Sequence, residues 1–229
     1  MTQLLLDMRP EQPPTLDNFV VGTNSELIGR LRALADHRSF EAIYLWGPRG
    51  CGKSHLLAAT AAKAVGERPV HVIAAAAVEA ELSATPGSLI AVDDIDTLRE
   101  SAQIALFRVF NAARLAGLAL LLSGHEPPSR LALREDLRTR VGQALVFELK
   151  PLSDDDKSAA LSRHALMRGM RMDQALVRYL LRHGRRDLPS LMAVLDQLDQ
   201  ASLEQHRPTT LPLLKEVMEL RFDEETGSV

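Results

Sequence analysis

Short apolar runs bounded by turn or polar residues recur along the first two thirds of the chain, at 42–46, 70–74, 89–92, 118–122 and 145–149. Runs of this length without alternation predict strands buried on both faces. Longer stretches with helical patterning lie between them, notably 53–65 and 101–115. The alternation predicts a parallel sheet covered by helices on both faces. After Pro151 the pattern changes. Ser153 is a good N-cap, and Asp154, Asp155 and Asp156 fall in a first turn, where the helix dipole favours carboxylates. From there to Phe222 the pattern predicts helices only, at 154–168, 173–183, 187–205 and 210–221, with Thr210 and Pro212 suited to the start of the last. Residues before 16 are proline-rich (Pro10, Pro13, Pro14) and read as an extended, flexible tail. The predicted organisation is a tail at 1–15, an α/β domain at 16–150 and a helical domain at 151–229.

Composition narrows the classes. The 229 residues are 46% hydrophobic and 25% charged, which suits an ordinary buried core. A net charge of −3 argues against a chain whose main task is coating nucleic acid, which needs a strongly basic face. A local basic patch stays compatible with it. Cys51 is the single cysteine, so neither an internal disulfide nor a Cys-based zinc site is expected. A lone thiol fits a reducing compartment. The start of the chain has no long apolar run and carries Asp7 and Glu11, so neither a signal peptide nor a membrane span is expected, and the cytoplasm is the expected location.

The chemistry begins directly after the first apolar run. Gly47, Pro48, Arg49, Gly50, Cys51, Gly52, Lys53 and Ser54 match G-x-x-x-x-G-K-[ST] at every fixed position. A strand is predicted before this P-loop and a helix after it. The glycines let backbone N–H groups turn towards a phosphate, and the new helix adds its positive end. Lys53 is placed to reach the β- and γ-phosphates of a purine nucleotide, and the Ser54 hydroxyl to ligate Mg²⁺. The run at 89–92 ends in Asp93 and Asp94. In a P-loop protein, Asp93 would hold the magnesium and Asp94 would orient the attacking water. Another buried run ends at Ser123, which either contacts the γ-phosphate or the water, or merely caps its strand. Arg138 and Arg140 precede the last run. An arginine there either projects into a neighbour's nucleotide as a finger or is an ordinary surface residue.

At this point the chain resembles the DnaA-related AAA+ proteins, and most closely the Hda family of DnaA regulatory inactivators. The resemblance rests on LDNFVVG at 16–22, GKSHLL at 52–57, LSGHEPP at 122–128, PLSDDDK at 151–157, RDL at 186–188 and LDQLD at 195–199, which together span nearly the whole chain. It implies an adenine pocket near Val20 and Val21, a phosphate loop running on into His55, an arginine finger at Arg140 and a helical lid. Within the lid it implies a phosphate-reading arginine at Arg186. Pro189 follows that motif, and proline is tolerated in a first helical turn. QLLLDM at 3–8 resembles the peptide by which such proteins dock on the DNA polymerase sliding clamp, with Gln3, Leu4, Leu6 and Met8 as the contacts. An extended apolar peptide of this kind inserts alternate side chains into a pocket. Met8 departs from the usual last residue, although a flexible thioether fills such pockets.

The expected function is therefore an ADP- or ATP-binding regulator of bacterial replication initiation that stimulates ATP hydrolysis by DnaA. Its expected partners are DnaA, the clamp and further copies of itself, with DNA reached through the clamp and no membrane. No helix-turn-helix DNA-binding domain is expected after the lid, which favours regulator over initiator. Two departures from the family bear on intrinsic hydrolysis. Asp94 stands where such ATPases usually place Glu, one methylene longer, so slow turnover is expected. His125 stands where relatives have Asp. A self-contained ATPase, such as a helicase-loader-like motor, and a nucleotide-stabilised adaptor without catalysis stay open as alternatives.

Overall fold

A computed structural model describes residues 13–79, 81–82, 84–185 and 187–226. The chain divides into two compact units, Gln12–Pro151 and Leu152–Val229. The first unit contains α1 (Ser25–Leu34), β1 (Ala42–Trp46), α2 (Lys53–Ala64), β2 (Val70–Ala74), β3 (Leu89–Asp93), α3 (Glu100–Ala116), β4 (Ala119–Gly124), α4 (Glu135–Gly142) and β5 (Leu145–Glu148). The second contains α5 (Asp154–Met167), α6 (Gln174–His183), α7 (Leu188–Glu204) and α8 (Leu211–Thr226).

The five strands form one parallel sheet in the order β2-β3-β4-β1-β5. Because successive side chains point to opposite faces, each strand feeds two cores. Ile43, Leu45, Leu89, Ala91, Ala119 and Leu121 pack on one face with α1 and α2. Tyr44, Ile90, Val92, Leu120 and Leu122 pack on the other with α3 and α4. The expected α/β class with helices on both faces is thus the observed one. Strand limits shift by a residue or two. Most useful for the site, β3 runs on to Asp93 and β4 runs on to Gly124, so both polar ends belong to the sheet.

Two helices were not expected. α1 buries Leu27, Ile28, Leu31 and Leu34, a helical spacing hidden among charged neighbours. α4 spans only two turns and buries Leu137 and Val141, four residues apart. Arg138 and Arg140 therefore sit on a helix rather than in a lead-in to β5. The helical unit closes on its own core of Leu161, Leu180, Leu195, Leu198 and Leu214, among others. Its starts are capped by side chains: Ser153 accepts from Asp156 N at 3.1 Å and Asp187 from Ser190 N at 2.9 Å. Pro189 lies in the first turn of α7, where a missing N–H costs nothing. Among the described residues no helix is long and apolar enough to cross a membrane.

One buried cation organises the sheet's entry side. Arg68 is 6% exposed and donates to six backbone carbonyls: Gly87, Leu34, Asp36, Ser39, Ser88 and Gly117. Burial pulls its guanidinium pKa down, with the Asp36 charge opposing. Deleting the donor leaves carbonyls unsatisfied in place, and a buried unpaired polar group costs ~1–3 kcal/mol. Arg68→Met is expected to lower stability by ~3 kcal/mol or more, and Arg68→Lys to restore less than half of that, because an ammonium cannot span the same acceptors. Urea unfolding followed by Trp46, the single tryptophan and a β1 residue, measures it.

Candidate functional site

The P-loop leaves β1 at Trp46 and turns into α2 at Lys53. Gly50 and Gly52 adopt φ values of 74° and 100°, left-handed conformations that a side chain would disfavour. At Gly52 sterics agree, since a Cβ there would lie 2.7 Å from the Phe19 ring. Phe19 also approaches the His55 ring, with centroids 5.7 Å apart, and His55 Nε2 is 3.0 Å from the Thr15 carbonyl oxygen. The segment before α1 thus packs on the base of the loop. Val21 packs into the α1/α2 core, and Val20 is half-buried.

No side chain caps the N-terminus of α2. Its first N–H groups have no intrahelical acceptor, and together with the helix dipole they suit an anion. Lys53 is nearly enclosed at 5% exposure, and its ammonium donates to the loop's own carbonyls, Gly47 O at 2.8 Å and Pro48 O at 3.0 Å. Pro48, Arg49, Gly50 and Ser54 are exposed. Cys51 is half-buried against the α1/α2 core, and burial pushes its thiol pKa up against the opposing pull of Lys53.

Beside the loop lie the ends of β3 and β4. Ser123 is wholly buried, and its hydroxyl donates to the Asp93 carboxylate while accepting from Asp94 N at 3.0 Å. Its one proton goes to Asp93 and it accepts from the Asp94 amide, which ties the ends of β3 and β4 together. Asp94 turns the chain out of β3 at φ 54°, an uncommon conformation for a residue with a side chain. Its carboxylate lies 3.8 Å from His125 Nε2, while His125 Nδ1 is 2.6 Å from Asp96 Oδ2. Gly124 makes room here, because a Cβ on it would strike the Tyr44 hydroxyl. That hydroxyl donates to Glu126 O at 2.7 Å. The Tyr44 pKa is raised, first by burial and then by the negative charges of Asp96, Glu126 and Asp94.

Arg140 is exposed on α4 with Gln143 Oε1 3.3 Å from its guanidinium, and a surface depression there is lined by Arg134, Glu135, Asp136, Thr139, Arg140 and Gln143. Arg186, Gln3, Leu4, Leu6 and Met8 lie outside the described residues. Sequence reasoning missed Phe19 as the lid on Gly52, and it missed the Asp96–His125 pair. The second was half visible, since His125 had been singled out without its partner.

Residues 154–218 match the family model described as Hda, lid domain. Domain III of the replication initiation protein DnaA from Thermotoga maritima is similar over 92% of this chain and 98% of that one, with TM-score 0.79 and 18% identity. DnaA from Aquifex aeolicus bound to AMPPCP is similar over 85% of this chain and 67% of that one, with TM-score 0.70 and 20% identity. A Thermotoga maritima RuvB variant is similar over 91% and 72%, with TM-score 0.73 and 18% identity. At such identities these likenesses speak for the fold. The chain thus has the fold of these DnaA structures, and its segment 154–218 matches an Hda lid domain.

Proposed function

We propose that this chain is a nucleotide-binding regulator of bacterial DNA replication initiation that docks on the sliding clamp and stimulates ATP hydrolysis by DnaA, thereby inactivating it. The observation that carries the reading is the Hda lid match at 154–218 in a chain whose P-loop has strand, left-handed glycines and helix in place. An AMPPCP-bound DnaA of the same fold supports a nucleotide as the ligand.

The residues fit ADP or ATP. The α2 N-terminus lacks a side-chain cap, Gly52 accepts no Cβ, and Lys53 is held by carbonyls that a phosphate can replace. In this reading Gly47 to His55 cradle the phosphates, with the Lys53 ammonium moving onto them, and Val20 and Val21 flank the base. Ser54 and Asp93 would hold Mg²⁺, which when bound offsets phosphate charge. Ser123 keeps Asp93 aimed. Arg186 contributes from the lid.

The hydrolysis that matters is assigned to the partner. Arg140 is exposed, with Gln143 Oε1 3.3 Å from its guanidinium, and a guanidinium delivered to a neighbour's γ-phosphate stabilises transition-state charge. Asp94 has the shorter carboxylate and faces His125, which supports slow intrinsic turnover. Gln3, Leu4, Leu6 and Met8 serve as the clamp peptide, and DNA is reached through the clamp. Further copies of the chain are expected partners.

Lys53→Ala is expected to abolish heat release when the nucleotide-free protein is titrated separately with ADP and with ATP. In reconstituted hydrolysis by ATP-loaded DnaA with DNA-loaded clamp, Arg140→Ala is expected to remove the stimulation, a loss of ~10³-fold or more if it acts as a finger, while nucleotide binding persists. Unchanged stimulation sinks the finger assignment. Steady ATP turnover by the chain alone, lost in Lys53→Ala, would instead favour a self-contained ATPase. Gln3→Ala is expected to lose the clamp in a pull-down while retaining nucleotide affinity.

A further inference from the structure

We propose that Asp94, Asp96 and His125 form a binding site for a divalent transition-metal ion, separate from the Ser54 and Asp93 pair assigned to Mg²⁺. The three side chains each offer one ligand atom, and these atoms all lie within 4.8 Å of one another. Their arrangement is directional. Nδ1 lies 2.6 Å from Asp96 Oδ2 and Nε2 lies 3.8 Å from Asp94 Oδ1, so a neutral ring that donates from Nδ1 turns its Nε2 lone pair towards Asp94. Two electron-rich atoms at that spacing call for a shared cation. A metal bound at ~2.0–2.2 Å from each bridges it with little movement.

Independent features agree. Asp96 Oδ1 is buried and meets no donor, so that carboxylate has acceptor capacity unspent. The Tyr44 hydroxyl gives its proton to Glu126 O instead. Its raised pKa reflects burial first and then the local negative charge of Asp96, Glu126 and Asp94. Among the described residues, both carboxylates have His125 as their ion-pair partner, and no lysine or arginine neutralises them. Two carboxylates and a neutral imidazole carry two negative charges, which matches a dication. The His125 nitrogen and the Asp94 oxygen would be the ligands, with Asp96 orienting the imidazole through Nδ1–H; such a mixed set suits Zn²⁺, Co²⁺ or Mn²⁺, whereas Mg²⁺ takes oxygen and keeps its waters. Bound there, the ion would tie the turn after β3 to the residue after β4, next to the strand ends that carry Asp93 and Ser123.

The test uses the full chain without nucleotide, titrated with Co²⁺ in excess Mg²⁺ and followed by calorimetry and visible absorption. One Co²⁺ per chain is expected. His125→Ala, Asp96→Asn and Asp94→Asn are each expected to weaken it at least ~tenfold. His37→Ala, at an exposed imidazole beside Asp36 and Glu67, is expected to change nothing. Thermal midpoints without metal report whether each variant is folded. Asp94 is 45% exposed, so Asp94→Asn keeps the test decisive even if His125→Ala is lost to misfolding. No saturable uptake under excess Mg²⁺ overturns the proposal and leaves a proton as the shared cation. Uptake unchanged in His125→Ala and Asp94→Asn overturns it too, placing the ion elsewhere. Since no nucleotide is present, the outcome is independent of the nucleotide reading.

Discussion

Parallel strands cannot be joined by tight hairpins, so each must return by a crossover before the next begins. All five strands here therefore end along one side of the sheet. The register makes the consequence local: Leu45 pairs with Ser123, Trp46 with Gly124 and Val92 with Leu122. The P-loop, the β3 acids and the end of β4 are brought together by backbone hydrogen bonding before any of their side chains interact. Ser123 then completes the arrangement. A hydroxyl with no access to water must find its partners inside, and the partners within reach are Asp93 and the Asp94 amide. A residue that looks like a minor strand end thus decides where the first acid points.

The other side of the sheet is built on the opposite principle. Ser39 precedes β1, Ser88 precedes β3 and Gly117 precedes β4, and Arg68 itself precedes β2. Its guanidinium collects carbonyls from each of these approaches, so the strand starts are fixed to one cation. At the starts these backbone carbonyls are satisfied by Arg68, although the buried Ser88 hydroxyl finds no partner among the described residues. At the ends, an uncapped helix and a carboxylate oxygen without a donor remain. Stability and chemistry are concentrated on opposite sides of the same five strands.

What the sequence disclosed follows from this division. The strands were legible because central strands of a parallel sheet are apolar on both faces, and the P-loop because its residues are contiguous. Of the lid helices, the first was legible through its Ser153 cap and acidic first turn and the last through Thr210 and Pro212. α4 was not, since a two-turn helix with Leu137 and Val141 as its apolar contacts carries almost no periodic signal. Arg68 looked like any surface arginine, because its acceptors are backbone atoms between 19 and 49 positions away. The same holds for Asp96 and His125, separated by 29 positions and joined only once β3 and β4 pair. Long-range contacts made by single side chains leave no pattern along the chain.

Lys53 bears on how such a site would choose between ADP and ATP. Its ammonium already holds two carbonyls, so binding phosphate is an exchange of partners. Each hydrogen bond to a charged group is worth ~1.5–3 kcal/mol, and that sum is surrendered before the phosphate returns it. The surrender is identical for either nucleotide and cannot discriminate between them. Under the proposed reading, selection comes from what meets the γ-phosphate, and beside the loop stand the carboxylates of Asp94 and Asp96. They oppose a γ-phosphate unless a cation sits between. A cation held by the Asp94–Asp96–His125 cluster would then ease that opposition, adding to whatever selection Lys53, the Mg²⁺ pair and Arg186 exert on the γ-phosphate under the same reading.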